Sequence, residues 1–117
     1  MRANQAESLR RSREFEVNRI RRRAAQIEIM IAELDQICTN LGHQIEAEEM
    51  SVRISDPAHV AYPTYAKAAR ERRAKIERSV DALRIEFDRL RSEANDLAMS
   101  NLLPSFRRQN RDLALTS

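Results

Sequence analysis

Cys38, His43 and His59 are the residues whose types suit metal binding or covalent chemistry, and their placement argues against both. The two histidines lie sixteen residues apart, with no acid-rich ligand spacing around them, and read as solvated or loop residues. Cys38 is the only cysteine, which excludes an internal disulfide and a cysteine-built zinc site. It also falls on an apolar helix position, where a small buried hydrophobe is expected in place of a nucleophile. A single glycine, Gly42, cannot make a phosphate-cradling loop. With no nucleophile, acid-base pair or metal set, the expectation is a protein that is not an enzyme and uses no cofactor and no metal.

Binding chemistry is better represented. The basic residues are nineteen arginines and only Lys67 and Lys75, and arginine's planar fork of donors suits carboxylates and phosphates. Residues 1 to 23 hold eight arginines against three acids, a net charge of +5. Phe15 stands among Arg11, Arg13, Arg19 and Arg22, off the apolar stripe described below. An exposed aromatic ringed by arginines is a common composition for an interface hot spot. The plainer alternative is that these arginines only solvate the end of a coiled coil. Tyr62 and Tyr65 flank Pro63 and either pack over a turn or face a partner.

The elements that must position these residues are helical. The chain has 117 residues, 42% hydrophobic and 33% charged, with three prolines and no tryptophan. That is too short for two ordinary domains and too poor in glycine for the turns of a sandwich or a doubly wound sheet. From Val17, alternating steps of three and four land on Ile20, Ala24, Ile27, Ile31, Leu34, Cys38, Leu41, Ile45, Glu48 and Val52, with only Glu48 polar. From Tyr62 the same rule gives Ala66, Ala69, Arg73, Ile76, Val80, Leu83, Phe87, Leu90, Ala94 and Leu97, with only Arg73 out of place. A heptad repeat of this length makes a stripe that must be buried against another helix.

Between the runs, Pro57 and Pro63 each lack an amide donor and disfavour helix in the preceding residue, so the chain turns there. Ser55 or Asp56 is placed to cap a turn beginning at Pro57. The expected fold is all-α, a long two-helix antiparallel coiled-coil hairpin: helix one near 8 to 52, tip 53 to 63, helix two near 64 to 101, tail 102 to 117. Helix one would be a rod of roughly 65 Å. Charge gives an independent check. Residues 24 to 56 carry net −6 and residues 57 to 100 net +2, so the hairpin sets Glu46, Glu48 and Glu49 beside Lys67, Arg70, Arg72 and Arg73. It also brings Glu48 near Arg73, and gathers the basic residues of 1 to 23 and 101 to 117 at the open end.

Two segments are more specific than a heptad pattern. FEVNRIRRRAAQIEIMIAELD, residues 15 to 35, and RISDPAHVAYPTYAKAARERRAKIERS, residues 53 to 79, resemble the FliJ family of small flagellar export proteins, in its alphaproteobacterial form. The resemblance covers about 80 residues, and the SDPAHVAYPTYAKAA stretch carries most of it. The chain departs from the family by stopping at Ser117 after a proline-containing tail, where a longer charged helix is expected.

The resemblance implies a cytoplasmic protein, peripheral to the inner-membrane export apparatus, that acts as a stalk without being the ATPase. Its implied partners are the flagellar export ATPase, whose hexameric ring receives the end bearing the termini, the cytoplasmic domain of the export gate, and export chaperones that it escorts. On this reading Arg13, Phe15, Arg19, Arg22 and Arg23 bind the ATPase, and residues near the middle of the rod meet the gate.

Other readings differ in class. A basic leucine zipper is opposed by Glu14 and Glu16 within the basic stretch and by the second heptad run, which supplies an internal partner; no nucleic acid is expected. A generic coiled-coil adaptor or a secretion chaperone outside flagella keeps the fold and changes the partner. No window approaches the roughly 20 apolar residues of a membrane span, and the N-terminus lacks the apolar stretch of a secretory signal.

Overall fold

The computed structural model describes residues 2 to 102; the expected tail beyond Leu102, with Pro104, lies outside the described residues. Two helices account for nearly all of it, α1 (Arg2–Val52) and α2 (Thr64–Leu102). They pack antiparallel as a helical hairpin. Contacts divide the chain into two compact units, one joining residues 2 to 26 with 87 to 102 and the other formed by residues 27 to 86.

The helices form because nothing in them opposes helix. Neither contains proline, and Gly42 is the one glycine. Ion pairs at helical spacing add local support: Glu7 with Arg10 and Arg11, Glu14 with Arg10, Glu16 with Arg19, Glu77 with Arg73 and Glu93 with Arg89. Exposed pairs of this kind contribute little individually, because solvent screens them. α1 starts at Arg2, six residues ahead of the start expected from periodicity. Residues 3 to 6 are exposed, so an apolar stripe is not needed there, and the stripe was the only signal that periodicity could follow.

In the unit of residues 27 to 86, Ile27, Leu41 and Ile45 are buried on α1, and Tyr62, Ala66, Ala69 and Val80 are buried on or before α2. Ile37 and Ile76 pack half-buried against Leu41, Ile45 and Ala69. In the other unit Val17, Ile20 and Ala24 are buried, with Leu90 and Ala94 from α2. Every buried hydrophobic residue lies on one of the two heptad stripes, as the seven-residue repeat requires.

The register differs in one respect from the charge argument. Glu49 does pair with Arg70 across the helices, at 3.1 Å, and Asp35 with Arg84, also at 3.1 Å. Arg73 does not meet Glu48. It pairs with Glu77 of its own helix at 3.6 Å, and its guanidinium passes 3.4 Å from where a Cβ on Gly42 would stand. A long cation on the stripe is thus accommodated by the residue with no side chain opposite it, which lets the stem lie on the core and the charge reach water.

The reversal is built from successive turns. Arg53 has φ 58°, and the Ile54 amide donates to the Glu49 carbonyl at 3.2 Å, the six-to-one bond of a Schellman cap. Asp56, Pro57, Ala58 and His59 form a turn closed by His59 N to Asp56 O at 3.0 Å, with the Asp56 carboxylate accepting from the Ala58 amide at 2.9 Å. His59 repeats the device: its carbonyl accepts from Tyr62 N at 3.1 Å and its Nδ1 from Ala61 N at 3.0 Å. Asp56 is therefore the capping residue at Pro57. Pro63 supplies the first α2 acceptor, its carbonyl receiving the Lys67 amide at 3.0 Å, so it stands at the N-cap and Thr64 opens the helix.

Tyr62 and Arg70 fasten the turn to both helices. Arg70 Nε donates to the Tyr62 hydroxyl at 2.7 Å, and its Nη2 donates to both Glu49 oxygens at 3.1 and 3.2 Å. The guanidinium also stands 5.9 Å from the Tyr62 ring centre. The Tyr62 hydroxyl first, and then the Glu49 carboxylate, hold the Arg70 guanidinium still more firmly in its charged form. Glu49 is 13% exposed with Arg70 over it, so loss of Arg70 would leave the carboxylate without its cation and the turn without its cross-link between the helices.

Two stability outcomes follow from the tip. Arg70→Ala should destabilise the fold by about 1–3 kcal/mol, and Arg70→Lys should restore little, since a single ammonium cannot serve Tyr62 and Glu49 with a fork; urea unfolding followed by circular dichroism measures both. Arg53→Gly should stabilise by about 0.5–1 kcal/mol, because glycine takes the left-handed conformation without the steric cost borne by arginine, offset in part by its greater freedom when unfolded.

Candidate docking surface on the N-terminal segment

The arginine-rich segment lies within α1 and belongs to the unit of residues 2 to 26 and 87 to 102. Val17 and Ile20 are buried there and define the side of the helix turned to α2. Residues three, four or seven apart share a side of a helix, so Arg11, Phe15, Arg19 and Arg22 lie together on the side away from that core. Phe15 is 65% exposed. Arg23, four residues after Arg19, borders the same surface.

Arg13 does not join this set. It lies two residues from Phe15, nearly opposite it, and four residues before buried Val17, on the side turned to α2. Arg13 is nonetheless exposed. Sequence reading grouped Arg13 with Phe15 by proximity in number, whereas helical spacing separates them and places Arg11 at Phe15's side.

The arginines also divide by their pairing. Arg19 forms a fork with Glu16, Nη2 to Oε1 at 2.6 Å and Nε to Oε2 at 3.0 Å, and Arg11 approaches Glu7 at 3.4 Å. Arg10 makes the corresponding fork with Glu7 at 2.7 and 3.2 Å. Among the described residues, Arg13, Arg21, Arg22 and Arg23 form no ion pair. Arg21, Arg22 and Arg23 are consecutive, so they project about 100° apart and surround the exposed circumference of the helix. All three are exposed.

The tip tyrosines have different settings. Tyr62 is buried and its hydroxyl receives Arg70, so its role is within the fold. Tyr65 is 56% exposed and donates its hydroxyl to Gln44 Oε1 at 2.9 Å, which holds the ring upright beside a small hollow lined by Leu41, Ala68, Ala69 and Arg72. Of the pair, Tyr65 alone presents surface to a partner.

The residues suited to bond chemistry have structural settings. Burial, followed by the Glu77 and Asp35 carboxylates, pushes the half-buried Cys38 thiol above its ordinary value against the opposing pull of Arg73, which leaves little thiolate near neutral pH. His59 is engaged in the turn through Nδ1, and His43 is exposed. Among the described residues no group of three or more His, Cys, Asp or Glu could hold a metal ion, and no helix is long and apolar enough to cross a membrane.

The forks have a consequence for pH. The hydrogen bond from Arg10 holds Glu7 below the ordinary 4.5, and that from Arg19 does the same for Glu16. A carboxylate whose folded value lies below its unfolded one contributes stability above the unfolded value and loses it as pH falls through the folded value. Helicity of the N-terminal segment should therefore fall on acidification below about pH 4.5. A Glu7→Gln, Glu16→Gln double variant should show a smaller fall in the same circular-dichroism titration.

Compared with known proteins, the chain matches no family model, no curated protein and no solved structure, so the reading of this surface rests on its own residues and on the resemblance described above.

Proposed function

We propose that this chain is a non-enzymatic component of the flagellar type III protein export apparatus, a coiled-coil stalk whose N-terminal segment binds the export ATPase ring. The observation that carries the reading is the collar of Arg21, Arg22 and Arg23. These guanidiniums meet no carboxylate among the described residues and point around the helix, next to exposed Phe15. Charge displayed around a helix suits a partner that surrounds it with acidic groups, more than one that meets a single flat face. The helical hairpin is the framework that such a stalk requires, and the resemblance of residues 15 to 35 and 53 to 79 to the FliJ family supplies the identity of the ring.

On this proposal the mechanism is mechanical and allosteric. The stalk favours assembly of the ATPase subunits around it and links their nucleotide turnover to the cytoplasmic domain of the export gate, while export chaperones are handed on by the same protein. Residues near the middle of the rod would meet the gate, and exposed Tyr65 with the hollow beside it offers a further contact point at the tip. The protein would then work in the cytoplasm, held at the inner membrane through its partners.

Adding the chain to the export ATPase of the same organism should raise ATP turnover and give a complex that survives gel filtration. Arg22→Glu with Arg23→Glu should weaken that complex by about tenfold or more while leaving helicity unchanged. Unaltered binding by the reversed pair would refute the assignment of this surface.

A further inference from the structure

The surface around Phe15 is not uniformly basic. Of the three arginines that share its side of α1, Arg19 is held by the two-bond fork to Glu16, Arg11 has one looser approach of 3.4 Å to Glu7, whose own fork goes to Arg10, and Arg22 meets no acid among the described residues. The ring of Phe15 stands 65% exposed between them. Seven residues separate Phe15 from Arg22, about 10 Å along the helix. On Phe15's own side the surface therefore shows one apolar knob, one cation that meets no acid, with unpaired Arg23 at its border, and two exposed cations that are engaged by acids of the same helix.

We propose that Glu16, with a weaker contribution from Glu7, is a specificity screen: the acids engage Arg19 and, more loosely, Arg11, so that the surface is read as a two-point key by an acidic partner protein with an apolar socket for Phe15 and a carboxylate for Arg22. The inference rests on the export reading for the identity of the partner, but not for the screening itself. Charge complementarity selects the occupant, since residues 1 to 23 carry net +5 and a protein socket is needed for the aromatic ring. A segment with every arginine exposed would attract any polyanion through counterion release, irrespective of shape. An internal carboxylate competes with such ligands at every position along them. Against the two-point partner it competes little, because the ring and Arg22 make the decisive contacts. Attractive groups paired with built-in competitors are a general route to discrimination between partners.

The Arg19–Glu16 fork is consistent with this role. It is solvent-exposed, with side-chain exposures of 61% for Arg19 and 40% for Glu16, so it contributes little to stability and can be opened by a competing carboxylate. Its geometry is nonetheless well formed, and the arginine is held in a defined orientation beside the ring.

The test uses the full chain and two probes, the export ATPase of the same organism and poly-L-glutamate as an acidic polymer without a socket, with binding followed by calorimetry at several salt concentrations. Phe15→Ala should weaken ATPase binding by about tenfold or more and leave poly-L-glutamate binding unchanged. Glu16→Gln should stay within about twofold of the parent for the ATPase, yet bind poly-L-glutamate about twofold more tightly; with Glu7→Gln added, the gain should grow by a smaller step, with a steeper salt dependence. If the glutamine variants do not gain affinity for poly-L-glutamate, or if Phe15→Ala binds the ATPase as well as the parent, the proposal is overturned. If the parent chain does not bind the ATPase, the export reading and the partner fall together, and the screening role is decided by the poly-L-glutamate arm alone. Circular dichroism of each variant separates these outcomes from loss of helix.

Discussion

The contact on which the structure depends is the one Arg70 makes with Tyr62 and Glu49. Two apolar stripes of equal period can pair in several registers, each offset by a heptad, with similar burial. The turn removes that freedom. Glu49 sits in the last turn of α1, Tyr62 closes the second turn of the reversal, and Arg70 comes from the second turn of α2, so one guanidinium spans the end, the loop and the beginning. Once these three are joined, Leu41 and Ile45 meet Ala69, Gln44 meets Tyr65, and Asp35 meets Arg84. The Schellman cap at Arg53 and the paired turns on Asp56 and His59 satisfy the backbone groups that the interrupted helix would otherwise leave without partners.

Much of this was legible in the sequence because period is a strong signal. The buried residues from Val17 to Ala94 all fall on the two stripes, and the prolines at 57 and 63 bracket the reversal. What was not legible has physical reasons. The start of α1 was placed too late because exposed residues 3 to 6 need no stripe, and only local helix preference marks them. A hairpin turning between the two heptad runs is expected to bring Glu48 near Arg73, but the register depends on the path of the turn, which sets Arg73 over Gly42 instead. His59 as a turn acceptor has no one-dimensional signature, since its role repeats that of Asp56 through a different side chain.

The docking surface was partly legible in the same sense. Composition located the arginines and Phe15, and the stripe through Val17 and Ile20, buried as expected, sets Phe15 off the core side, whereas Arg13, four residues before Val17, lies on it. Sequence also counts charges without assigning them. The division between arginines held by Glu7 and Glu16 and those of the collar at 21 to 23 emerges from distances, and it changes the character of the surface from a diffuse positive field to a pattern. An aromatic knob with unpaired cations at fixed spacings from it carries more information about a partner than net charge does.

On the proposed function this helical hairpin serves as the stalk of an export ATPase ring, and stoichiometry separates a stalk from an adaptor. Native mass spectrometry of the chain mixed with that ATPase and nucleotide measures it. One chain per ring of six subunits is the expected result. A complex with one chain on each ATPase subunit, or no complex at any nucleotide state, would refute the stalk.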